Sequence, residues 1–340
     1  MEIHIETFGA HLRVRGGIFV FTAPDLSGGE EKKSEYAPHL VKRILFHKNS
    51  GSISAAAIFL AMENDIDLIA CDEFGMPFGR FYPIGPNRVL GIQAAQFQLI
   101  RTPESLKFVK LWIGGKIRRK LAFLERLERY REGQHANLLQ QARQMISESY
   151  LLLQNAPLMP FQEAAESIRG HEGTASRIYF TTLSNLMEPE YRFEGRSRRP
   201  AQDVFNLFLN YGYGILYRIT EKALIEAGIH PYAGFLHGLA KKQKSMVFDF
   251  IEAFRPWVDS MVFQLCRARA IKEEHIQQEA GGLRLTKQGK ELIIKTFQQG
   301  FRKKRNDYSG QSLLPLNIIR TEARLFADEL MGMWSSRLAF

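Results

Sequence analysis

The chain has 340 residues and a formal net charge of +10; 45% of its residues are hydrophobic and 24% are charged. This length and composition predict two globular domains or one large one and exclude wholesale disorder. The two cysteines, Cys71 and Cys266, form no Cys-x-x-Cys pair. Their positions exclude a disulfide scaffold, a zinc ribbon and a thioredoxin-like site, and they indicate a reduced intracellular protein.

The sequence shows no targeting or membrane-spanning segment. Residues 1–6 alternate between apolar and polar types, unlike a signal peptide. The longest apolar stretch, 53–62, is too short to cross a bilayer. We therefore expect a cytoplasmic protein with no membrane partner.

Residues 1–85 are predicted to form a small β-rich domain. A short helix is expected over 53–64, with Ser52 or Ser54 as its N-cap. The polar segment 24–38 predicts an exposed loop. Strands are predicted from alternating or β-branched apolar runs at 3–7, 12–14, 18–22, 41–46 and 67–71.

Pro and Gly interrupt regular structure at 82–87, and we place a linker at 86–92. Helical periodicity dominates after residue 90, which predicts a larger all-helical catalytic domain over 93–340. The fold class is therefore α+β. The predicted helices cover 92–131, 138–153, 161–169, 174–186, 202–227, 245–267, 287–300 and 318–333.

The positive charge belongs to the C-terminal part of the chain. Residues 1–92 hold 9 basic and 11 acidic residues, and the remainder holds 37 and 25. This asymmetry indicates either a polyanion partner or a solvated basic surface, and net charge alone does not separate the two. The basic residues cluster at 101–131, at Arg192, Arg196, Arg198 and Arg199, and at 302–305.

The arginine cluster fits phosphate contacts best, because four arginines within eight residues can form forked hydrogen bonds to phosphates. Part of the 101–131 cluster must be the solvated face of a predicted helix.

Several catalytic motifs are absent from the sequence. His171-Glu172 does not begin a zincin motif, because residue 175 is Ala. Gly114-Gly115-Lys116 is not a P-loop, because Leu111 stands where the first glycine is required. The chain also lacks a dinucleotide-binding glycine motif and a serine-hydrolase nucleophile elbow.

Two candidate residues lie in glycine-bounded segments. Glu172 lies between Gly170 and Gly173 at a predicted helix start, where the helix dipole also favours an ordinary acidic residue. His237 follows Phe235-Leu236, and the alternative to a metal ligand is a buried, hydrogen-bonded histidine.

Two more candidates share one face of a predicted helix over 245–254. Asp249 and Glu252 are three residues apart beside the apolar stripe, and the alternative is a pair of surface carboxylates. One imidazole with two or three carboxylates suits Mg²⁺ or Mn²⁺ better than a structural zinc ion. With DNA bound, such a metal would polarise a phosphodiester.

These stretches resemble the CRISPR-associated integrase family, the metal-dependent DNA endonucleases of spacer acquisition. The similar segments together cover most of the chain, and their order and spacing make the resemblance specific. The similar segments are 53–79; 169–173 with Tyr179-Phe180; 198–200 with Asp203, Asn206 and 211–213; and 227–237 with 248–252 and 254–256.

The resemblance implies that Glu172, His237 and Glu252 bind Mg²⁺ or Mn²⁺, with Asp249 as a further catalytic residue. It implies a homodimer that uses the N-terminal β domain for contacts between chains. Two such dimers would flank a dimer of a small ferredoxin-like partner protein in a heterohexamer.

The implied reaction joins the 3′-hydroxyl ends of a short DNA duplex to the repeat array by transesterification. Arg169, Arg196, Arg198 and Arg199 are the candidates for DNA-phosphate contacts. Two alternatives stay open at this point: a non-catalytic nucleic-acid binding module, and a repair nuclease for branched DNA.

Overall fold

A computed structural model describes residues 1–25, 31–82, 85, 87–197, 200–238, 243–306 and 310–338, with side chains up to residue 333. The chain divides into two compact units. The first contains residues 1–94 and the end of the last helix from Glu329, and the second contains residues 95–328. The predicted α+β class is confirmed, because a strand-rich N-terminal region precedes a mostly helical region. The second region is not all-helical as predicted, since short strands form at 276–279, 282–285, 305–306 and 312–313.

The first unit consists of two four-stranded sheets and a helix among its described residues. The elements are β1 Glu2–Ile5, β2 Ala10–Arg15, β3 Ile18–Ala23, β4 Lys32–Tyr36, β5 Arg43–His47, β6 Gly51–Ile53, α1 Ala55–Glu63, β7 Asp67–Cys71 and β8 Pro77–Phe81. One sheet has the order β1-β5-β7-β8, with parallel pairs except β7 with β8. The other has the order β4-β3-β2-β6, in which β2 and β6 are parallel and the remaining pairs antiparallel.

Strand alternation builds the core of this unit. In β1, Ile3 and Ile5 are buried while the residues between and beside them are exposed. Ser54 caps α1 by accepting a hydrogen bond from the backbone N–H of Ala57 at 3.2 Å. Gly51 permits β6 to approach β2, because a Cβ atom there would lie 2.1 Å from a backbone oxygen of β2.

The predicted loop over 24–38 is wrong in part, because Lys32–Tyr36 forms strand β4. Among the described strands, it lies at the edge of its sheet and pairs with β3 alone. Its mostly charged and exposed residues give no apolar alternation, although the backbone ladder still forms. Residues 26–30 of the predicted loop lie outside the described part of the chain.

The second unit is mainly helical. Helix α2 begins inside the predicted linker 86–92. The predicted boundaries at residues 85 and 93 stay predictions. The elements from the linker onward are α2 Arg88–Leu99, α3 Pro103–Glu128, α4 Gly133–Asn155, α5 Phe161–Asn185, α6 Val204–Glu226, α7 Ser245–Ile251, α8 Arg255–Arg267, β9 Ile276–Glu279, β10 Gly282–Leu285, α9 Lys287–Phe301, β11 Arg305–Asn306, β12 Ser312–Leu313 and α10 Pro315–Leu338.

The structure corrects three predicted helices. The helices expected at 161–169 and 174–186 are one continuous helix, α5, so Glu172 lies in mid-helix and not in a first turn. The buried stripe continues on both sides of the two exposed glycines, from Ile168 to Ala175, and this packing outweighs a penalty of about 1 kcal/mol for each glycine. The helix expected over 245–254 becomes a 3₁₀ turn at Glu252–Phe254 and continues directly into α8.

None of the described helices combines the length and apolar character needed to cross a membrane.

Candidate active site

A single cavity in the second unit brings the four predicted site residues together. Its volume is about 1060 Å³, and its lining includes Glu172, His237, Asp249 and Glu252. They come from α5, from the loop before α7, from α7 and from the following 3₁₀ turn, respectively. Residues up to 80 positions apart in the sequence therefore face the same space.

At one end of the cavity, an ammonium group lies between two carboxylates. Lys116 of α3 forms an ion pair with Glu172 and donates to Glu252 Oε2 at 2.6 Å. Arg255 Nη1 lies 2.8 Å from Glu252 Oε1. We call these four residues the carboxylate end. The lysine is 7% exposed, and its charge offsets the repulsion between the carboxylates.

Both carboxyl groups stay ionised in this surrounding. Burial raises the pKa of Glu172, but the charges of Lys116 and Lys120 and hydrogen bonds to the carboxylate bring that pKa down to about 2. Burial also raises the pKa of Glu252, and Arg255 and Lys116 more than offset this, so its pKa falls below the usual value. The carboxylate end therefore presents two negative groups at neutral pH.

The other end of the cavity is built from a histidine and backbone amides. His237 Nδ1 is hydrogen-bonded to Asp249 Oδ1. Asp249 Oδ2 accepts from the N–H of Phe235 at 2.6 Å and from the N–H of Leu236 at 2.9 Å. We call His237, Asp249 and these two N–H groups the histidine end.

The exposure of these side chains excludes the two alternatives to a functional site, a buried histidine and a pair of surface carboxylates. The side chain of His237 is 41% exposed, so it is not a buried histidine, and that of Asp249 is 0% exposed. Glu252 is 14% exposed, so neither acidic residue is a surface carboxylate. The hydrogen bond to Asp249 raises the pKa of His237 despite partial burial of the ring.

The loop that carries His237 packs closely on α7. A Cβ atom at Gly234 would lie 2.6 Å from Ser245 Cβ, so glycine permits this contact. Gln96 fixes the start of the loop, because its side chain donates to the carbonyl of His230 at 2.9 Å and accepts from the N–H of the same residue at 2.8 Å.

An aromatic cluster supports the same loop. The ring of Phe235 stacks on Trp112 with the centroids 6.2 Å apart and the planes within 9°. Phe326 packs edge-on against Trp112 at 5.1 Å. These buried rings hold the residue two positions before His237 against α3.

A buried lysine, Lys120, is linked to the carboxylate end through Ser176. Lys120 is 1% exposed and donates to Ser176 Oγ at 2.6 Å. Ser176 in turn donates to Glu172 Oε1 at 2.6 Å. Burial, with the nearby charge of Lys116, lowers the pKa of Lys120 to about 7. The three residues form a chain of hydrogen bonds that orients the Glu172 carboxylate.

Arg196 lines the cavity, and its guanidinium lies near two aromatic rings. It donates from Nη2 to Asn210 Oδ1 at 2.9 Å, and its guanidinium lies 5.4 Å from the Phe180 ring centroid and 5.5 Å from that of Tyr213. Its Nη1 atom is buried with no hydrogen-bond partner in the part of the chain that the structure describes. Such a donor suits a phosphate oxygen.

Arg169 is an exposed cavity residue on α5 and donates from Nη2 to the carbonyl of Leu236 at 3.0 Å. It therefore connects α5 to the loop of the histidine end. The other two predicted DNA contacts, Arg198 and Arg199, lie outside the described residues.

The residues of the cavity fit a divalent cation. A cation, the ammonium of Lys116, already lies between Glu172 and Glu252. Because His237 Nδ1 is hydrogen-bonded to Asp249, Nε2 is the ring nitrogen that remains to bind a metal. This arrangement is typical of metal-binding histidines. Among the described residues, the group of three or more metal-competent side chains whose donor atoms all lie within 4.8 Å of one another is not in this cavity. That group lies in the first unit.

Sequence reasoning missed the two buried lysines, which it counted among a cluster of basic residues on a partly solvated helix. Lys116 and Lys120 are four residues apart and lie on the apolar stripe of α3 with Trp112. Their position on that stripe was the available signal, because buried lysines require partners.

Comparison with known proteins identifies the family. The profile described as CRISPR associated protein Cas1 matches residues 3–299. A CRISPR-associated endonuclease Cas1 of Archaeoglobus fulgidus is 29% identical, over 98% of this chain and 97% of the relative. One from Methanospirillum hungatei is 30% identical, over 83% of this chain and 82% of the relative.

Solved structures share the fold over almost the whole chain. A casposase bound to integration product has a TM-score of 0.80 and 24% identity, with 98% of this chain and 96% of that chain covered. A Cas1 protein from Thermotoga maritima has a TM-score of 0.77 and 19% identity, with the same coverage. A partial Cas6-RT-Cas1–Cas2 complex has a TM-score of 0.67 and 17% identity, covering 99% of this chain and 97% of that chain.

A strand-rich unit followed by a mainly helical unit is thus the fold that this chain shares with the casposase and with the Thermotoga maritima Cas1 protein. The chain belongs to the CRISPR associated protein Cas1 family, which confirms the predicted family.

Proposed function

We propose that this chain is a metal-dependent DNA integrase and endonuclease of CRISPR spacer acquisition. It joins the 3′-hydroxyl ends of a short duplex to the repeat array. One observation carries the proposal: Glu172, His237, Asp249 and Glu252 line a single cavity together with Arg169 and Arg196.

Glu172, Glu252 and His237 would hold the metal ion, Mg²⁺ or Mn²⁺, through carboxylate oxygens and an imidazole nitrogen. When bound, the ion supplies Lewis-acid polarisation of the scissile phosphate. The low pKa values of both carboxyls support this role, because the ligands need no deprotonation at neutral pH.

The other residues of the cavity orient the metal ligands and bind DNA phosphates. Asp249 fixes the His237 ring through Nδ1, and Lys116 keeps the two carboxylates together. Arg169 and Arg196 neutralise DNA phosphates beside the cavity. Attack by the 3′-hydroxyl oxygen forms one phosphorus–oxygen bond as another breaks. The attacking hydroxyl gives up its proton to solvent, and the leaving 3′-oxygen takes up a proton. One diester replaces another, so the step needs no ATP.

Double-stranded DNA is the proposed substrate. The casposase that shares this fold is described as bound to integration product. The charge of this chain adds support, because the basic excess follows residue 92.

A small ferredoxin-like protein is the proposed partner, in a heterohexamer that contains two dimers of this chain. A structural relative is described as a partial Cas6-RT-Cas1–Cas2 complex.

We assign the dimer contact to the first unit. Phe74 and Phe78 are 75% and 70% exposed, and they lie at or beside β8, an edge strand of its sheet. Phe78→Asp should shift the protein from dimer to monomer in analytical ultracentrifugation, because it places a charge in the apolar contact. An unchanged dimer would move the contact elsewhere.

A strand-transfer assay tests the reaction. The purified chain, with and without the small partner, receives a short 3′-hydroxyl duplex and a supercoiled repeat plasmid in Mn²⁺. We expect metal-dependent joining that is lost in Glu172→Gln and His237→Ala. The matched control is Glu163→Gln, which alters an exposed glutamate near the start of the same helix and should join normally.

A duplex with 3′-dideoxy ends separates the outcomes. An integrase cannot join it, whereas a repair nuclease still cuts branched DNA without the partner. Joining that persists in Glu172→Gln and His237→Ala would remove these residues from the site.

One observation favours the second candidate, a non-catalytic DNA-binding module. Lys116 already satisfies both carboxylates without a metal. Tight, salt-sensitive duplex binding with no joining in Mn²⁺, partner present, would select this function.

A further inference from the structure

The first unit contains a second group of metal-competent side chains, on residues that the proposed function does not use. The donor atoms of His4, Glu6 and His47 all lie within 4.8 Å of one another. Within the described ranges of the chain, this is the one set of three or more His, Cys, Asp or Glu residues that meets this spacing.

The strand geometry sets this spacing. β1 and β5 are parallel neighbours, with His4 opposite Leu45 and Ile5 opposite Phe46. The next residues of the two strands, Glu6 and His47, therefore follow as a facing pair. His4 and Glu6 are two residues apart and both exposed, while Ile5 between them is buried. All three donors thus lie on one face of one strand pair.

The donor types identify the class of ion. Two imidazoles and one carboxylate suit Zn²⁺, whereas Mg²⁺ prefers oxygen ligands and several bound waters. Zinc bonds of 2.0–2.1 Å in a tetrahedral site require donors about 3.3 Å apart. The donor atoms lie within 4.8 Å of one another, and His4 and Glu6 are exposed, so rotation about their side-chain torsions is the movement that binding requires.

A fourth group lies beside the set. Glu2 Oε2 is 3.5 Å from His4 Nε2, and the other oxygen of Glu2 is 3.0 Å from Arg43 Nη1. The arginine keeps Glu2 on the same face as His4. A water molecule or Glu2 can therefore complete four-coordination.

We propose that His4, Glu6 and His47 form a structural Zn²⁺ site that links β1 to β5. The site is independent of the proposed joining reaction. Because the ion binds the paired strands and not the unfolded chain, it stabilises the first unit by mass action.

Isothermal titration calorimetry with zinc chloride tests the site in the full chain. The parent protein carries His237→Ala, which removes the histidine donor of the cavity. We expect one Zn²⁺ per chain, no comparable heat from Mg²⁺, and a rise in melting temperature when Zn²⁺ is added.

Affinity for Zn²⁺ should fall at least about tenfold in His4→Ala and in Glu6→Gln, because each removes one of three ligands. His39→Ala is the matched control, since it removes an exposed histidine of the same unit outside the set, and it should bind as the parent does.

Both changed ligands are exposed, so the variants should remain folded, and circular dichroism checks this. Equal Zn²⁺ affinity in the parent and in His4→Ala, or no binding by the parent, would overturn the site. The strand-transfer assay does not enter this test, so the two proposals fail separately.

Discussion

The two ends of the cavity hold their acidic groups in different ways. At the carboxylate end, Glu172 and Glu252 are held by the charged side chains of Lys116 and Arg255. At the histidine end, Asp249 is held by two backbone N–H groups and His237. Buried charges are therefore balanced by other charges at one end and by the folded backbone at the other.

This difference predicts how each end responds to change. Removal of one charge from a buried ion pair leaves the other uncompensated, which costs about 3–5 kcal/mol. Loss of a hydrogen bond to a charged group costs about 1.5–3 kcal/mol, and its main effect at the histidine end is on ring orientation. The carboxylate end should thus have the larger effect on folding stability, and the histidine end should control the pH dependence of joining.

The largest effect is expected from Lys116→Met. The variant leaves Glu172 and Glu252 facing each other without the ammonium, so the free energy of unfolding should fall by about 3–5 kcal/mol. Mn²⁺ should restore more stability to this variant than to the wild type, because the ion replaces the lost charge. Urea unfolding with and without Mn²⁺ measures both effects.

Lys107→Met is the control, since Lys107 is exposed on the same helix and its loss should change stability by less than about 0.5 kcal/mol. Equal Mn²⁺ effects in Lys116→Met and the wild type would contradict a cation position between the carboxylates.

Asp249→Asn should act mainly through His237. The bond to Asp249 raises the His237 pKa above 6.5, and a protonated imidazole cannot bind a metal. Joining by the wild type should therefore increase with pH through this raised pKa, and the variant should shift the increase to lower pH. We also expect a loss of about 10–100-fold in joining at neutral pH. A pH series of strand-transfer rates measures both.

The same pair contributes folding stability that is fully present below the unfolded histidine pKa and is lost as the pH rises through the raised folded pKa. An acid limb at the same pH in wild type and Asp249→Asn would show that Asp249 does not set the histidine pKa.

Lys120→Met tests how far the carboxylate end extends into the core. The folded pKa of Lys120 is lowered to about 7, against about 10.4 in the unfolded chain. Between these values the unfolded state binds the extra proton, so wild-type stability from this group increases with pH, by up to about 1.4 kcal/mol per unit.

The stability of Lys120→Met relative to wild type should therefore be highest at or below pH 7 and fall towards pH 10. Chemical denaturation of both proteins at several pH values measures this difference. A constant difference across this range would show that Lys120 stays charged in the folded protein.

The smallest effect is expected from Gly170→Ala and Gly173→Ala. Both glycines are exposed in the middle of α5, and a Cβ atom would meet nothing within 4 Å. Each change should stabilise the helix by about 0.5–1 kcal/mol, because alanine loses less backbone entropy. Duplex affinity should fall at the same time if DNA occupies the open space beside Glu172. Thermal unfolding and a fluorescence-anisotropy titration measure the two effects, and Gly332→Ala, remote in sequence, is the control.

Most of the fold could be predicted from the sequence, because its signals are local. The alternation in β1 and the Ser54 cap of α1 place elements correctly. The failures have physical causes. Strand β4 is held by backbone pairing without an apolar pattern, and α5 continues through two glycines because tertiary packing outweighs their low propensity.

The site could be predicted only in part. Residue types and spacing single out Glu172, His237 and Glu252 as candidates, but their assignment as metal ligands rests on the resemblance to a family. No local pattern shows that they share a cavity. The buried lysines were missed because a positive charge in a basic segment resembles a solvated face. Their partners come from other helices, so their role depends on contacts that a linear pattern does not contain.

The stack of Trp112 on Phe235 gives the protein an internal optical probe. Indole emission depends on the surroundings of the ring, and this ring packs on the residue two positions before His237. Any ligand that moves the His237 loop changes the environment of Trp112. With Trp257 and Trp334 replaced by Phe, loop movement can thus be followed in real time with the protein's own fluorescence, without an attached dye.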